Sequence, residues 1–149
     1  MYVMLADKGF IPESELWKFC KSDGILGGHP ETKVPGVELS TGSLGHGLPI
    51  GVGFALNGKY HNSAYRCFVV VGDGECNEGS IWEAVLFAGH HQLDNLVAIV
   101  DYNKIQSLGR VEDVLDLEPL GAKWRAFGWD VREVNGHDLL EMQGVLEHI

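Results

Sequence analysis

The sequence predicts an α/β fold in which crossover helices connect the strands of a parallel sheet. Two apolar runs, residues 67–71 and 96–100, have the length and composition of buried strands. The segment between them, 79–93, carries apolar residues at helical spacing. A strand, a helix and a second strand in this order are typical of a parallel sheet with a right-handed crossover.

The other predicted elements follow the same alternation. In chain order they are a short helix at 12–19, a loop at 24–36, a helix from about 44 to 60, a helix at 118–127 ended by Gly128, a third strand at 129–134, and a last helix from the N-cap Asp138 to about 149. The helix at 44–60 is rich in small residues, which indicates close packing against another backbone. Pro49 is tolerable there only near the first turn. The sequence therefore predicts a core of three parallel strands.

We expect residues 1–149 to form a single domain, because the chain has no repeat, linker or low-complexity stretch. The chain opens in an apolar segment, residues 2–5, without a preceding cap, and it closes inside a helix. Three parallel strands also give helices little to cover on two faces. We therefore expect this domain to be incomplete at both ends.

Composition excludes several classes of partner. The net charge is −10 and there is no basic run, so nucleic acid and anionic membranes are poor partners. No apolar stretch approaches the roughly 20 residues that span a bilayer. The three cysteines form neither a CxxC pair nor a metal-ligand spacing, and their odd number without a signal peptide favours a reducing, cytoplasmic setting. A phosphate-bearing ligand would therefore need a metal, a helix N-terminus or backbone N–H groups.

Asp73 and Asn103 are the candidate metal ligands. Each directly follows one of the two apolar runs, and they are 30 residues apart. If the strands are parallel neighbours, both residues emerge at the carboxyl edge of the sheet, where open α/β sheets bind ligands. A carboxylate, an amide oxygen and a backbone carbonyl would give Mg²⁺ half a shell and leave room for a diphosphate. The alternative is a turn in which Asp73 only caps the next helix.

Several motifs, in order and spacing, resemble transketolase. They are Gly28-His29-Pro30-Glu31, the stretch 36–47 containing Thr41-Gly42-Ser43-Leu44, Gly72-Asp73-Gly74-Glu75-Cys76-Asn77-Glu78-Gly79, Leu93-Asp94-Asn95-Leu96 and 124–129. The similarity covers essentially the whole chain. It is greatest to the amino-terminal subunit of two-chain bacterial and archaeal transketolases, in the domain that binds the diphosphate of thiamine diphosphate (ThDP).

This resemblance implies three sets of functional residues. The metal ligands would be Asp73, Asn103 and the backbone oxygen of Ile105; the cofactor-binding residues Gly42, Ser43, Leu44, Gly72, Asp73, Gly74 and Asn103; and the catalytic residues His29 and Glu78. His29 would face the sugar substrate, and Glu78 would lie at a subunit interface, bonded toward the other active site. From the residues alone, the favoured interpretation of His29 is a loop histidine bonded to backbone groups.

The resemblance implies transfer of a two-carbon ketol unit from a ketose phosphate to an aldose phosphate, as in the pentose phosphate pathway. ThDP and Mg²⁺ would be the cofactors, and a pyrimidine-binding chain would be the partner in a homo- or hetero-oligomer. The alternatives are another ThDP-dependent ketol or acyl transferase, such as a deoxyxylulose-phosphate synthase, and a non-catalytic remnant that acts as an interaction protein. The motifs Gly28-His29-Pro30-Glu31 and Thr41-Gly42-Ser43-Leu44 argue against the synthase.

Overall fold

The computed structural model describes all 149 residues, which form two compact units, 1–43 and 44–149. Its helices and strands, in chain order, are α1 (Tyr2–Asp7), a 3₁₀ helix (Glu13–Lys18), α2 (Gly47–Tyr60), β1 (Cys67–Gly72), a 3₁₀ helix (Gly74–Asn77), α3 (Gly79–His90), β2 (Leu96–Asp101), β3 (Ile105–Gln106), β4 (Gly109–Arg110), α4 (Val111–Val114), α5 (Leu120–Ala126) and α6 (Leu139–Glu147). The fold is α/β, as predicted. The expectation of a single domain stays a prediction.

The first unit has a small core of its own. Ile11, Leu26 and Val34 are its buried residues, and apolar side chains of α1 pack against them. The Tyr2 hydroxyl donates a 2.9 Å hydrogen bond to the Gly27 carbonyl, which ties the glycine-rich loop to α1. The helix predicted at 12–19 is present as the 3₁₀ turn at Glu13–Lys18.

In the second unit β1 and β2 are parallel neighbours joined through α3, which confirms the predicted crossover. Their register places Gly72 opposite Asp101, so the two strands end level with each other. Side chains of α2 and α3 cover one face of this pair and form the main core. The residues after each strand therefore emerge at one edge, as the spacing of Asp73 and Asn103 predicts.

Helix α2 begins at Gly47, later than the sequence predicts. Gly45 has φ of +81°, a left-handed conformation that interrupts a helix. Pro49 consequently lies in the first turn, where its missing N–H costs no helical bond. The expected close packing is present, because a Cβ atom on Gly51 would lie 2.4 Å from a methyl carbon of Val69 on β1.

The predicted third strand at 129–134 is wrong, and the parallel sheet has two strands. Bonds to helical residues hold this segment instead: the Trp129 indole donates to the Val85 carbonyl of α3 at 3.0 Å, and Arg125 of α5 donates to the Val131 carbonyl at 3.2 Å. The apolar residues of the segment pack against the main core without joining the sheet. Side chains that pack against helices can have the same apolar pattern as a strand, which is why the pattern predicted one here.

The second face of the two-stranded sheet carries apolar side chains in the open. Phe68 is 47% exposed and Val70 is 71% exposed. Their register partners on β2 are Val97 and Ile99. Parallel sheets are normally covered on both faces, so this face offers apolar area for association. No helix of the structure has the length and apolar character needed to cross a membrane.

Candidate functional site

Asp73 is the only charged side chain in the buried class, with 3% of its surface exposed. Its Oδ1 atom accepts a 2.6 Å hydrogen bond from the Gly74 N–H and so caps the short helix that follows. Its Oδ2 atom accepts a 2.7 Å bond from the N–H of Lys104, in the loop after β2. The capping alternative thus accounts for one oxygen, while the other joins the loops after both strands. Each oxygen keeps further lone pairs for a cation.

The loop after β2 presents Asn103 and Ile105 beside this carboxylate. Asn103 Oδ1 accepts a 2.8 Å bond from the N–H of Ile105, which fixes the direction of the amide. Lys104, between them, has φ of +66°, uncommon for a residue other than glycine. That conformation accompanies the bond from its N–H to Asp73. The bond from Lys104 therefore ties Asp73 to the segment that carries Asn103 and Ile105.

Gly74 lies against the side chain of Gln106. A Cβ atom on Gly74 would come within 3.1 Å of Gln106 Cγ, so a larger residue at position 74 would displace the Gln106 side chain. The Gln106 Oε1 atom accepts a 3.2 Å bond from the Asn77 side chain. Gln106 Nε2 and Asn77 Oδ1 are both buried without a hydrogen-bond partner. Unpaired buried polar groups are costly, and this pair adjoins the candidate site.

Glu78 precedes α3 as its N-cap residue, and its side chain makes no capping bond. It is exposed, and its Cβ is 2.6 Å from the place where a Cβ on Gly45 would be. Gly45 is further held by two side chains: its N–H donates to Glu75 Oε1 at 2.8 Å, and its carbonyl accepts from Ser80 Oγ at 2.8 Å. Leu44, immediately before it, is 58% exposed.

In the first unit the structure brings His29 and Gly42 together. A Cβ atom on Gly42 would lie 2.8 Å from the Cγ atom of the His29 ring, and Gly42 has φ of +123°. The Thr41 N–H donates to the Pro30 carbonyl at 3.0 Å, which closes the loop between them. Both His29 and Ser43 have solvent-accessible side chains. The histidine is therefore presented on a loop that requires glycine at position 42.

The thiol of Cys76 adjoins the metal turn but is fully buried. Burial, followed by the nearby carboxylates of Glu75 and Asp73, raises the pKa of this thiol to about 12. It stays protonated and shielded from reagents at neutral pH, so it has no role as a nucleophile. A shallow cavity of about 380 Å³ next to it is lined by apolar groups such as Trp82 and Phe127, and by none of the predicted site residues.

The donor set suits a hard cation. No group of three or more His, Cys, Asp or Glu side chains is arranged to hold a metal. What the second unit offers is one carboxylate, one amide oxygen and backbone oxygens around Asp73 and Asn103. Mg²⁺ is usually bound by one or two protein groups together with phosphate oxygens, so these residues fit an Mg²⁺–diphosphate ligand.

Sequence reasoning missed four residues that organise the site: Lys104 and Gln106 beside Asp73 and Gly74, and Glu75 and Ser80 at Gly45. Lys104 acts through its backbone N–H, which leaves no trace in the residue type. Gln106 and Glu75 act across distances in sequence of 29 and 30 residues. The sequence signal that could have indicated Glu75 is its position inside the motif at 72–79.

Comparison with known proteins places the whole chain in one family. The family model described as "Transketolase, thiamine diphosphate binding domain" matches residues 1–149. The chain is 48% identical over 149 residues to one of the subunits of the apulose-4-phosphate transketolase of Actinobacillus succinogenes, covering 99% of this chain and 54% of that protein. It is 41% identical over 143 residues to the transketolase of Rattus norvegicus, covering 95% of this chain and 23% of that protein.

A third relative is the 6-deoxy-6-sulfo-D-fructose transketolase subunit of a Clostridium species, 40% identical over 148 residues, with coverage of 99% of this chain and 54% of that protein. Among solved structures, the transketolase of Campylobacter jejuni matches with a TM-score of 0.85 and 34% identity, over 91% of this chain and 22% of that chain. The chain spans about half the length of the subunit relatives it matches.

Proposed function

This chain belongs to the family of transketolase ThDP-binding domains, and we propose that it binds the diphosphate of ThDP through Mg²⁺ for ketol transfer. The reaction would move a two-carbon unit from a ketose phosphate to an aldose phosphate. The proposal rests on one observation above all, the hydrogen bond that joins Asp73 to Lys104. This bond ties Asp73 to the loop of Asn103 and Ile105 at the carboxyl edge of the sheet, where open α/β sheets bind ligands, and so supports the proposal.

Each predicted site residue in the second unit has a defined task in this proposal. Asp73, Asn103 and the backbone oxygen of Ile105 hold Mg²⁺, and the Asp73 carboxylate offsets part of the positive charge. Gly72 and Gly74 let the backbone approach the diphosphate, since Cβ atoms would narrow the space there. The backbone of Leu44, an exposed residue, contacts the cofactor. Glu78, exposed at the start of α3, is available to a neighbouring protomer.

In the first unit, Gly42 and Ser43 contact the cofactor and His29 meets the sugar. An accessible imidazole can hydrogen-bond a substrate hydroxyl and orient the sugar. When bound, ThDP supplies the reactive carbon and the electron sink, and the protein supplies orientation and electrostatics.

A pyrimidine-binding chain completes the proposed enzyme. The names of two relatives describe them as subunits, which supports a partner for this chain. The acid that activates the pyrimidine would lie on that partner. The relatives' names specify different sugars, so the family likeness supports ketol transfer in general and leaves the sugar pair open.

The test is to express the chain alone and together with a pyrimidine-binding chain encoded beside it. We expect Mg²⁺-dependent ThDP binding by calorimetry, and ketol transfer in a coupled assay only for the two-chain complex. Binding that ignores Mg²⁺ would remove the metal from the proposal. A complex that binds ThDP but transfers no ketol unit from any of several ketose phosphates would favour the non-catalytic alternative.

A further inference from the structure

We infer that Glu75 and Ser80 are positioning residues that fix the backbone entering α2, and with it the cofactor contact of Leu44. This inference rests on the proposed function, because it assigns a purpose to the Leu44 backbone. The two side chains come from different elements: Glu75 from the 3₁₀ turn after Asp73, and Ser80 from the first turn of α3. Both reach the same residue, Gly45.

The two bonds take both backbone groups of Gly45. Glu75 Oε1 accepts from its N–H at 2.8 Å, and Ser80 Oγ donates to its carbonyl at 2.8 Å. The second Glu75 oxygen, Oε2, accepts a longer bond of 3.4 Å from the N–H of Gly72, at the end of β1. A single carboxylate therefore connects the entry of α2 to the strand that carries Asp73.

The surroundings leave Gly45 no alternative position. It is buried, its φ of +81° favours glycine, and a Cβ atom there would be 2.5 Å from Ser80 Oγ. Leu44 is joined to this fixed residue by one peptide bond, and its own surface is 58% exposed. The Leu44 backbone is thus joined directly to a residue that Glu75 and Ser80 hold in place. Such support by residues behind the contact is what precise ligand geometry requires.

Two probes separate positioning of Leu44 from support of the metal turn. Inorganic pyrophosphate with Mg²⁺ needs only the group around Asp73, whereas ThDP also needs the contact at Leu44. In the full chain with its pyrimidine-binding partner, we expect Glu75→Ala and Ser80→Ala each to raise the ThDP dissociation constant roughly threefold to tenfold, the scale of one hydrogen bond. The pyrophosphate dissociation constant should stay within about twofold of wild type, because neither variant removes a bond made by Asp73, Lys104 or Asn103.

Conservative variants distinguish this role from a general loss of stability. Glu75→Gln keeps an oxygen for the Gly45 N–H and should restore ThDP affinity. The matched control is Glu83→Ala, which removes a glutamate of helix α3 that makes no bond to Gly45 and should change neither constant. Because both side chains act on Gly45, the double variant should lose less affinity than the product of the two single losses.

Amide hydrogen exchange at Gly45 measures the bond from its N–H to Glu75 without any ligand. Exchange should be at least about tenfold faster in Glu75→Ala than in wild type, and near wild type in Glu75→Gln. The inference is overturned if Gly45 exchange is unchanged in Glu75→Ala, or if ThDP affinity is unchanged in both alanine variants. It is also overturned if the variants weaken the binding of pyrophosphate and of ThDP equally. A wild-type complex that fails to bind ThDP overturns the proposed function itself, and the inference with it, a result distinct from failure in the variants alone.

Discussion

The carboxylate of Asp73 and the backbone N–H of Lys104 are joined by a 2.7 Å hydrogen bond. Asp73 follows β1 and Lys104 lies in the loop after β2, so this bond connects the ends of two parallel strands. The register that aligns Gly72 with Asp101 brings the two loops level. The crossover topology therefore brings the two loops of the candidate metal group together. The side chain of Asp73 and the backbone conformation of Lys104 then hold them in place.

Replacing Asp73 should remove metal-dependent cofactor binding. Asp73→Ala also leaves the N–H groups of Gly74 and Lys104 without their acceptor, at a cost of about 1–3 kcal/mol for each in the free energy of unfolding. Asp73→Asn keeps one oxygen acceptor, so it should fold more stably than Asp73→Ala yet still bind Mg²⁺–ThDP poorly. Calorimetry and urea denaturation measure the two effects.

The matched control for this carboxylate is Asp94→Asn, an exposed position before β2, at the opposite end of the strand. It should leave Mg²⁺–ThDP affinity unchanged. If Asp73→Asn binds the metal and cofactor as wild type does, the metal site lies elsewhere.

Lys104 should matter for its backbone and very little for its side chain. Lys104→Gly keeps the N–H and accepts φ of +66° without strain, so its stability should stay within about 1 kcal/mol of wild type, with ThDP affinity preserved. Lys104→Pro removes the N–H and fixes φ near −65°. It should lose metal-dependent binding and several degrees of melting temperature. Thermal unfolding and calorimetry of Lys104→Gly and Lys104→Pro measure stability and ThDP affinity. If the glycine variant is as impaired as the proline variant, the Lys104 ammonium group is important instead.

The strands and helices that could be predicted from sequence are those specified by local pattern. The runs at β1 and β2, the helix α3 between them and the Asp138 cap of α6 all carry their own signals. The segment at 129–134 has the composition of a strand, but strand formation also needs a neighbour, and helices bury its side chains instead. The hairpin of β3 and β4 gave no signal, because each of its strands has two residues.

The sequence predicts that Asp73 and Asn103 lie at the carboxyl edge of the sheet, because residues that directly follow two parallel neighbouring strands must emerge there. It does not reveal what orients them. The left-handed conformation of Lys104 is not encoded by a residue type that prefers it. The buried amides of Asn77 and Gln106 meet across two loops, and neither residue type indicates the other. Geometry of this kind comes from the assembled fold.

His29 should affect turnover more than cofactor binding. Its side chain is accessible on a loop of the first unit, while the hydrogen bonds that organise the metal group all lie within the second unit. His29→Ala in the two-chain complex should keep the ThDP dissociation constant and lower kcat about 10²–10⁴-fold, the scale for loss of an acid–base or orienting group. Gly42→Ala should produce a similar loss, because its Cβ would displace the imidazole.

The control for the loop is His61→Ala, an exposed histidine outside the glycine-rich segment, which should retain full kcat. Ordinary ketol transfer by His29→Ala would take this histidine out of the mechanism. A Gly42→Ala protein with wild-type kcat would show that the imidazole does not need its present position.

The open face of the sheet predicts that the isolated chain self-associates. Val70 is 71% exposed and stands beside Phe68, which is 47% exposed, on a parallel sheet that is normally covered on both faces. Val70→Thr keeps the shape of the side chain and adds a hydroxyl, so it should weaken association without disturbing β1. Val3→Thr makes the same change at a residue that is 68% exposed on α1, outside the sheet. Sedimentation of the three proteins over a range of concentrations should show a lower average mass for Val70→Thr only; a wild-type chain that remains a monomer throughout would contradict the prediction.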